Sequence, residues 1–233
     1  MVDLSDEIAD LWSALGAPGA ARPRIVQIVA ARRGEGTSTV ARELAHFASR
    51  RAMRSVWLID LDVFAGAQYA AISSEAERYG QLGPAVSASP NGSMFFALRP
   101  QATGTGQSPL SDAKYLSAHR VGDARWWVTR FRSENLYPGQ NLHVVRDPKY
   151  WSSLREHADL IIVDCPSLDR SKAALTLARN MDETVIVVAA DEPEVAPPLG
   201  LRDALTEEGA TIAGLFFNRV GGTQNRRSPL AAL

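Results

Sequence analysis

The sequence predicts an α/β fold, a mostly parallel sheet with helices on both faces, and three features predict it. Residues 25–48, IVQIVAARRGEGTSTVARELAHFA, run from a strand rich in Val and Ile through a glycine-containing turn into a helix-period pattern with Val40, Leu44 and Phe47 on one face. Unbroken apolar runs at 55–60, 159–164, 183–190 and 212–218 alternate with helical stretches, the pattern of parallel strands covered on both sides. Asp60, Asp62 and Asp164 stand at the ends of two of those runs, where a parallel sheet presents its ligand-binding carboxyl edge.

Composition narrows the function classes. A chain of 233 residues with 45% hydrophobic and 22% charged residues suits one ordinary globular α/β domain. A net charge of −1 argues against nucleic acid as a partner, which calls for a basic excess. The single cysteine, Cys165, leaves no disulfide framework, and His46, His119, His143 and His157 lack metal-ligand spacing. The opening MVDLSDEIADLW is acidic and has no apolar h-region, so no signal peptide is expected. No apolar run is long enough for a bilayer. The expected location is the cytoplasm, with no direct membrane insertion, the inner membrane face being reached only through a partner.

Along the chain, Leu4, Ile8, Leu11, Trp12 and Leu15 share one face of an N-terminal helix that Gly16 stops. Such a face can pack on its own domain or dock a partner or a second copy in a homo-oligomer; its acidic polar side disfavours an anionic membrane. A Pro/Gly/Ala linker completes residues 1–24. The main domain spans 25–220, with a loop and a helix at 64–81 and an insert at about 83–121. That insert is rich in Gly, Ser and Pro; MFFAL at 94–98 reads as a short strand, and GTGQSP as a flexible loop without the strand–loop–helix setting of a phosphate site. RWWVTRFR at 125–132 alternates as a strand. It reads either as an outer strand with its tryptophans under a helix or as an aromatic and basic stacking surface. A strand at 141–146 and helices at 148–157 and 171–181 follow, then a helix that opens on Pro197–Pro198 and stops near Gly209. Residues 221–233 read as a disordered tail.

The chemistry concentrates at Gly34, Glu35, Gly36, Thr37, Ser38 and Thr39, a P-loop in which backbone N–H groups and the helix dipole favour a polyanion. Ser38 is placed to ligate Mg²⁺ with Asp164 holding it through water, while Asp60 and Asp62 could orient a nucleophile or serve a metal's outer shell. Thr37 occupies the position of the phosphate-binding lysine.

These residues resemble the cytoplasmic domain of bacterial tyrosine kinases of the capsular and exopolysaccharide type, relatives of the MinD/ParA group of P-loop NTPases. GEGTST at 34–39 stands for the family's GEGKST. Residues 57–64, WLIDLDVF, match its apolar D-x-D-x-R motif, and LIIVDCPS at 160–167 its apolar D-x-P-P motif. Arg32 falls at the signature lysine of the MinD/ParA relatives, and Asn218 at the asparagine that contacts the base. The resemblance covers 25–62 and 142–220 but not 83–121. It implies a MinD/ParA-like P-loop architecture, ATP or ADP with Mg²⁺ as cofactors, and a membrane polysaccharide co-polymerase of the chain-length determinant type as partner.

Departures from the family shape the functional expectation. Thr37 replaces the lysine, Phe64 replaces the arginine of the second motif, the N-terminal helix lacks the family's arginines, and no tyrosine follows Tyr150. Loss of one preorganised charge at the phosphates costs on the order of 10²–10³ in rate. Arg32 or Arg33 substitutes only in part, since an arginine on the loop does not reach as a lysine on the first helical turn does. The expected function is that of a degenerate, kinase-like regulatory protein of exopolysaccharide, capsule or holdfast biosynthesis. Alternatives are a working ATPase or tyrosine kinase and a MinD/ParA-type positioning switch.

Overall fold

A computed structural model of the chain describes residues 4–16, 22–100, 112–191, 194–220 and 230–231. Its main sheet is built on β1 (Arg24–Ala30), β2 (Val56–Asp60), β8 (Leu160–Asp164), β9 (Glu183–Ala189) and β10 (Ile212–Asn218). With β6 (Trp126–Phe131) these run parallel in the order β10-β9-β1-β8-β2-β6. Residues of β2 and β8 are buried without exception, as expected of apolar runs sandwiched between helical layers.

Alternation along each strand sorts the core into two layers. Val26, Val56, Leu58 and Ile162 face α1 (Ser5–Ala14) and α2 (Thr37–Ser49). Ile25, Trp57, Ile59 and Ile161 face α5 (Lys149–Arg155), α6 (Ala173–Leu177) and α7 (Ala196–Glu207). Asp60 and Asp164 continue the period of the first set, which places their side chains on the same side as α2. The segment 64–81 forms α3 (Ala67–Ser74) and α4 (Ala76–Tyr79), whose Ile72 and Tyr79 close that layer.

The stacking-surface reading of 125–132 is corrected, as is its placement on an outer strand. Residues of the insert form β3 (Leu82–Ser87) and β5 (Leu116–Val121), which extend the sheet antiparallel beyond β6 and make it an interior strand. Trp126 is fully buried and stacks on His46 at 5.8 Å, while Trp127, on the opposite face, stacks on Trp57 at 5.7 Å. The MFFAL run contributes to β4 (Phe96–Arg99), which pairs antiparallel with β7 (Asn141–Val144) in a separate ribbon. The GTGQSP segment lies outside the described residues. Of the segment read as a disordered tail, Leu230–Ala231 form β11, antiparallel to β10; the rest of 221–233 is outside the described residues.

The N-terminal helix spends its apolar face within the domain. Leu4, Ile8, Leu11 and Leu15 join Val40, Ala41 and Leu44 of α2 in one core, and Trp12 meets Phe47 at 6.1 Å. The docking reading of this face therefore gives way to internal packing. Leu11 is completely buried, so Leu11→Ala should cost about 2–5 kcal/mol, read as a lowered urea midpoint at unchanged slope; a near-neutral substitution would mean that α1 is detached in solution.

Candidate functional site

The site assembles at the carboxyl ends of β1, β2 and β8. After Ala30 the chain turns through residues 31–36 before α2 begins at Thr37. Gly34 and Gly36 adopt φ values of +94° and +95°, a left-handed conformation that only glycine enters without strain. Position 36 is also sterically closed, since a Cβ there would lie 2.0 Å from Asn218 Nδ2. Gly36 caps α2, its carbonyl accepting the N–H groups of Thr39 and Val40 at 3.0 Å each. The N–H groups that open the helix thus point at the mouth of the loop with the helix dipole behind them.

Neighbours brace the loop from several directions. The Glu35 carboxylate accepts the Arg32 N–H at 2.8 Å, and Asn218 Nδ2 donates to the Glu35 carbonyl at 2.9 Å. Asn218 Oδ1 in turn accepts the N–H of Arg219, whose guanidinium bonds the Gly34 carbonyl. Asp169 accepts the Arg33 N–H at 3.2 Å. The Arg32 side chain ion-pairs with Glu194. Thr37 is buried at the first residue of α2, and Thr39 is exposed. Asn218 thus supports the loop backbone in this structure, and a contact of that residue with a base remains a proposal.

Asp60 and Asp164 are register partners on adjacent strands, 3% and 2% exposed, so two carboxyl groups are buried side by side. Asp60 accepts the backbone N–H groups of Asp62 at 2.9 Å and Gln68 at 3.0 Å, which fixes the turn after β2 and the start of α3. Gln68, fully buried, ties the parts together. Its Nε2 donates to Asp164 Oδ2 at 2.6 Å and to the Ser38 carbonyl at 2.8 Å, while its Oε1 accepts from Arg42 at 3.1 Å. Asp164 Oδ1 is a buried acceptor without a hydrogen-bond partner. Asp62 turns outward, its carboxylate 2.5 Å from the Arg170 guanidinium.

Electrostatics follow from burial. Loss of water, reinforced by the neighbouring Asp164 carboxylate and opposed by its two N–H donors, pushes Asp60 up to about 7. Asp164 rises to about 6 through burial, with the Gln68 amide pulling it down. An unpaired Asp164 oxygen beside a second buried carboxyl group fits a divalent cation, whose binding would displace the protons that burial favours. Ser38 and Asp164 would hold Mg²⁺, with Asp62 further out. Among the described residues no group of three or more His, Cys, Asp or Glu side chains could hold a metal alone, so the phosphate oxygens of a nucleotide would complete the shell. The structure therefore brings the loop, Ser38, Asp60 and Asp164 together and sets Asp62 at their rim. Sequence reasoning missed Gln68, Arg42, Arg170 and Arg219. A lone Gln six residues past a D-x-D motif gives no periodic or spacing signal.

No protein-family model matches the chain, and no curated protein matches it. Solved structures do. The kinase domain of the Escherichia coli tyrosine kinase ETK superposes with a TM-score of 0.56 at 19% identity, over 93% of this chain and 75% of that one. The VpsO kinase domain gives 0.55 at 19%, over 94% and 100%. The cell division ATPase MinD of Pyrococcus furiosus gives 0.57 at 20%, over 87% and 74%. These three structures share the α/β fold of this chain. No helix among the described residues is long and apolar enough to cross a membrane.

The raised carboxyl groups set a pH dependence whose sign is fixed. Unfolded, both release their protons near 3.8; folded, they keep them to about 6 and 7, so the folded chain binds more protons within that window. Stability is present below it and is lost as pH rises from about 4 to about 7. His46, lowered by burial and by Arg50, works in the opposite sense but is common to wild type and variant. Asp164→Asn keeps an acceptor for Gln68 and removes one carboxyl, so urea unfolding across this range should show a flatter decline in the variant. Identical slopes would mean that the pair is not buried together.

Proposed function

We propose that the chain is a nucleotide-binding, kinase-like protein whose capacity for phosphoryl transfer is largely lost and whose output is an interaction. The observation that carries this reading is the contrast at α2. Position 37 holds a buried, neutral threonine where the loop needs a cation, while Ser38, Asp60 and Asp164 beside it form an intact, ordered cluster. A polyanion would rest on the N–H groups that open α2. Ser38 would hold Mg²⁺ directly and Asp164 through water, supplying charge neutralisation at the phosphates. Asp60 positions the turn that carries Asp62 and Gln68 rather than reaching the mouth itself.

The biological setting follows from resemblance. The motifs at 34–39, 57–64 and 160–167, together with a fold shared with the ETK and VpsO kinase domains, support a regulatory role in exopolysaccharide, capsule or holdfast biosynthesis. The partner would be a membrane polysaccharide co-polymerase of the chain-length determinant type, and the chain would work in the cytoplasm at the inner membrane face. A working ATPase or tyrosine kinase is the second reading, favoured by the intact carboxylates. A MinD/ParA-type positioning switch, with Arg32 at the signature-lysine position, is the third and weakest reading.

Calorimetric titration with Mg-ATP and Mg-ADP tests the central step. Binding in the micromolar range or tighter is expected, weakened at least tenfold by Ser38→Ala, with phosphate release near background. Absence of binding would overturn the nucleotide reading; brisk turnover abolished by Asp164→Ala would select the enzyme.

A further inference from the structure

The loop lacks its lysine, and the arginines around it differ in the groups they hold. Arg42 points inward, donating to Gln68 Oε1 at 3.1 Å and to the Tyr79 hydroxyl at 3.3 Å. Arg32 pairs with Glu194, and Arg219 bonds the Gly34 carbonyl and lies 3.4 Å from Asp191. Arg33 gives its backbone N–H to Asp169, and its exposed side chain belongs to the loop itself.

Arg170 differs in its partner and its platform. Its guanidinium contacts Asp62 at 2.5 Å, a carboxylate of the site itself, and the pair is part-exposed, at 41% for Arg170 and 25% for Asp62. The segment that presents it is fastened to the phosphate loop. Leu168 N–H donates to the Ala30 carbonyl at 3.0 Å, Asp169 N–H to the Ala31 carbonyl at 3.3 Å, and Asp169 accepts the Arg33 N–H. Ser167 donates to the other Asp169 oxygen at 2.6 Å, locking that carboxylate in place. Arg170 therefore links the segment tied to the phosphate loop with Asp62 in the turn after β2, the turn that follows the strand paired with Asp164.

We propose that Arg170 supplies in cis the positive charge missing at position 37: on nucleotide binding its guanidinium moves from Asp62 to the terminal phosphate of a nucleoside triphosphate. Departure of Arg170 releases Asp62 to bind water around magnesium, so the ion pair is a resting state that the ligand exchanges. A part-exposed pair is weak and easily exchanged, whereas a guanidinium fork matches phosphate oxygens bidentately. An arginine delivered from a surface loop restores affinity for the outer phosphate without the preorganisation of a lysine on α2. This inference rests on the nucleotide-binding reading and adds what distinguishes tri- from diphosphate.

Titration of the full chain with Mg-ATP and Mg-ADP separates the two. Wild type should prefer Mg-ATP about tenfold. Arg170→Ala should weaken Mg-ATP by tenfold or more, leave Mg-ADP within twofold and so erase the preference, and Arg170→Lys should recover part of it. Unfolding temperatures of both variants should stay near wild type, since the side chain is exposed and its ion pair is at the surface. Equal losses for both nucleotides would reveal a merely structural residue, and unchanged affinities would exclude Arg170 from the site; either overturns the inference while the nucleotide reading stands. Wild type that binds neither nucleotide overturns both.

Discussion

The adjacent carboxyl groups of Asp60 and Asp164 are the constraint on which the site depends. They end neighbouring parallel strands in register, on the α2 side, where burial makes ionisation costly. The cost is offset by two backbone N–H donors to Asp60 and by the Gln68 amide to Asp164. Those same bonds fix the turn after β2, the start of α3 and, through the Ser38 carbonyl, the first turn of α2. One electrostatic problem at the sheet edge thereby positions the phosphate loop, the second-motif turn and an orphaned acceptor around one space.

Against that background Thr37 becomes specific. A general decay of the site would leave the loop slack and the carboxylates poorly supported. Instead, Glu35, Asn218, Arg219 and Asp169 all hold the loop backbone, and Gly34 and Gly36 keep the left-handed conformations that it requires. What is missing is a mobile positive charge on the first helical turn. Binding of a polyanion and chemistry on it are thus separable here: backbone amides serve the former, and the latter needs charge placed where the transition state develops it.

Much of this was legible in the sequence, for physical reasons. The strand, loop and helix at 25–48 and the aspartates at the strand ends announce themselves by period and position. Partners are less legible. The amphipathic pattern of α1 reveals a buried face but not whose surface buries it. The alternation of 125–132 reveals a strand, yet its interior position depends on β3 and β5, which come from a Gly- and Pro-rich stretch and pair over long sequence separations. Gln68 and Arg170 lie outside any motif, and only the folded sheet edge brings them to Asp164 and Asp62.

Installing the lysine tests the central claim directly. If the site is intact but for one charge, Thr37→Lys should raise phosphate release from Mg-ATP by about 10²-fold or more over wild type, an increase abolished by adding Asp164→Ala. A variant that turns over no faster than wild type, although it still binds Mg-ATP and remains folded, would contradict that claim and place the defect elsewhere in the site.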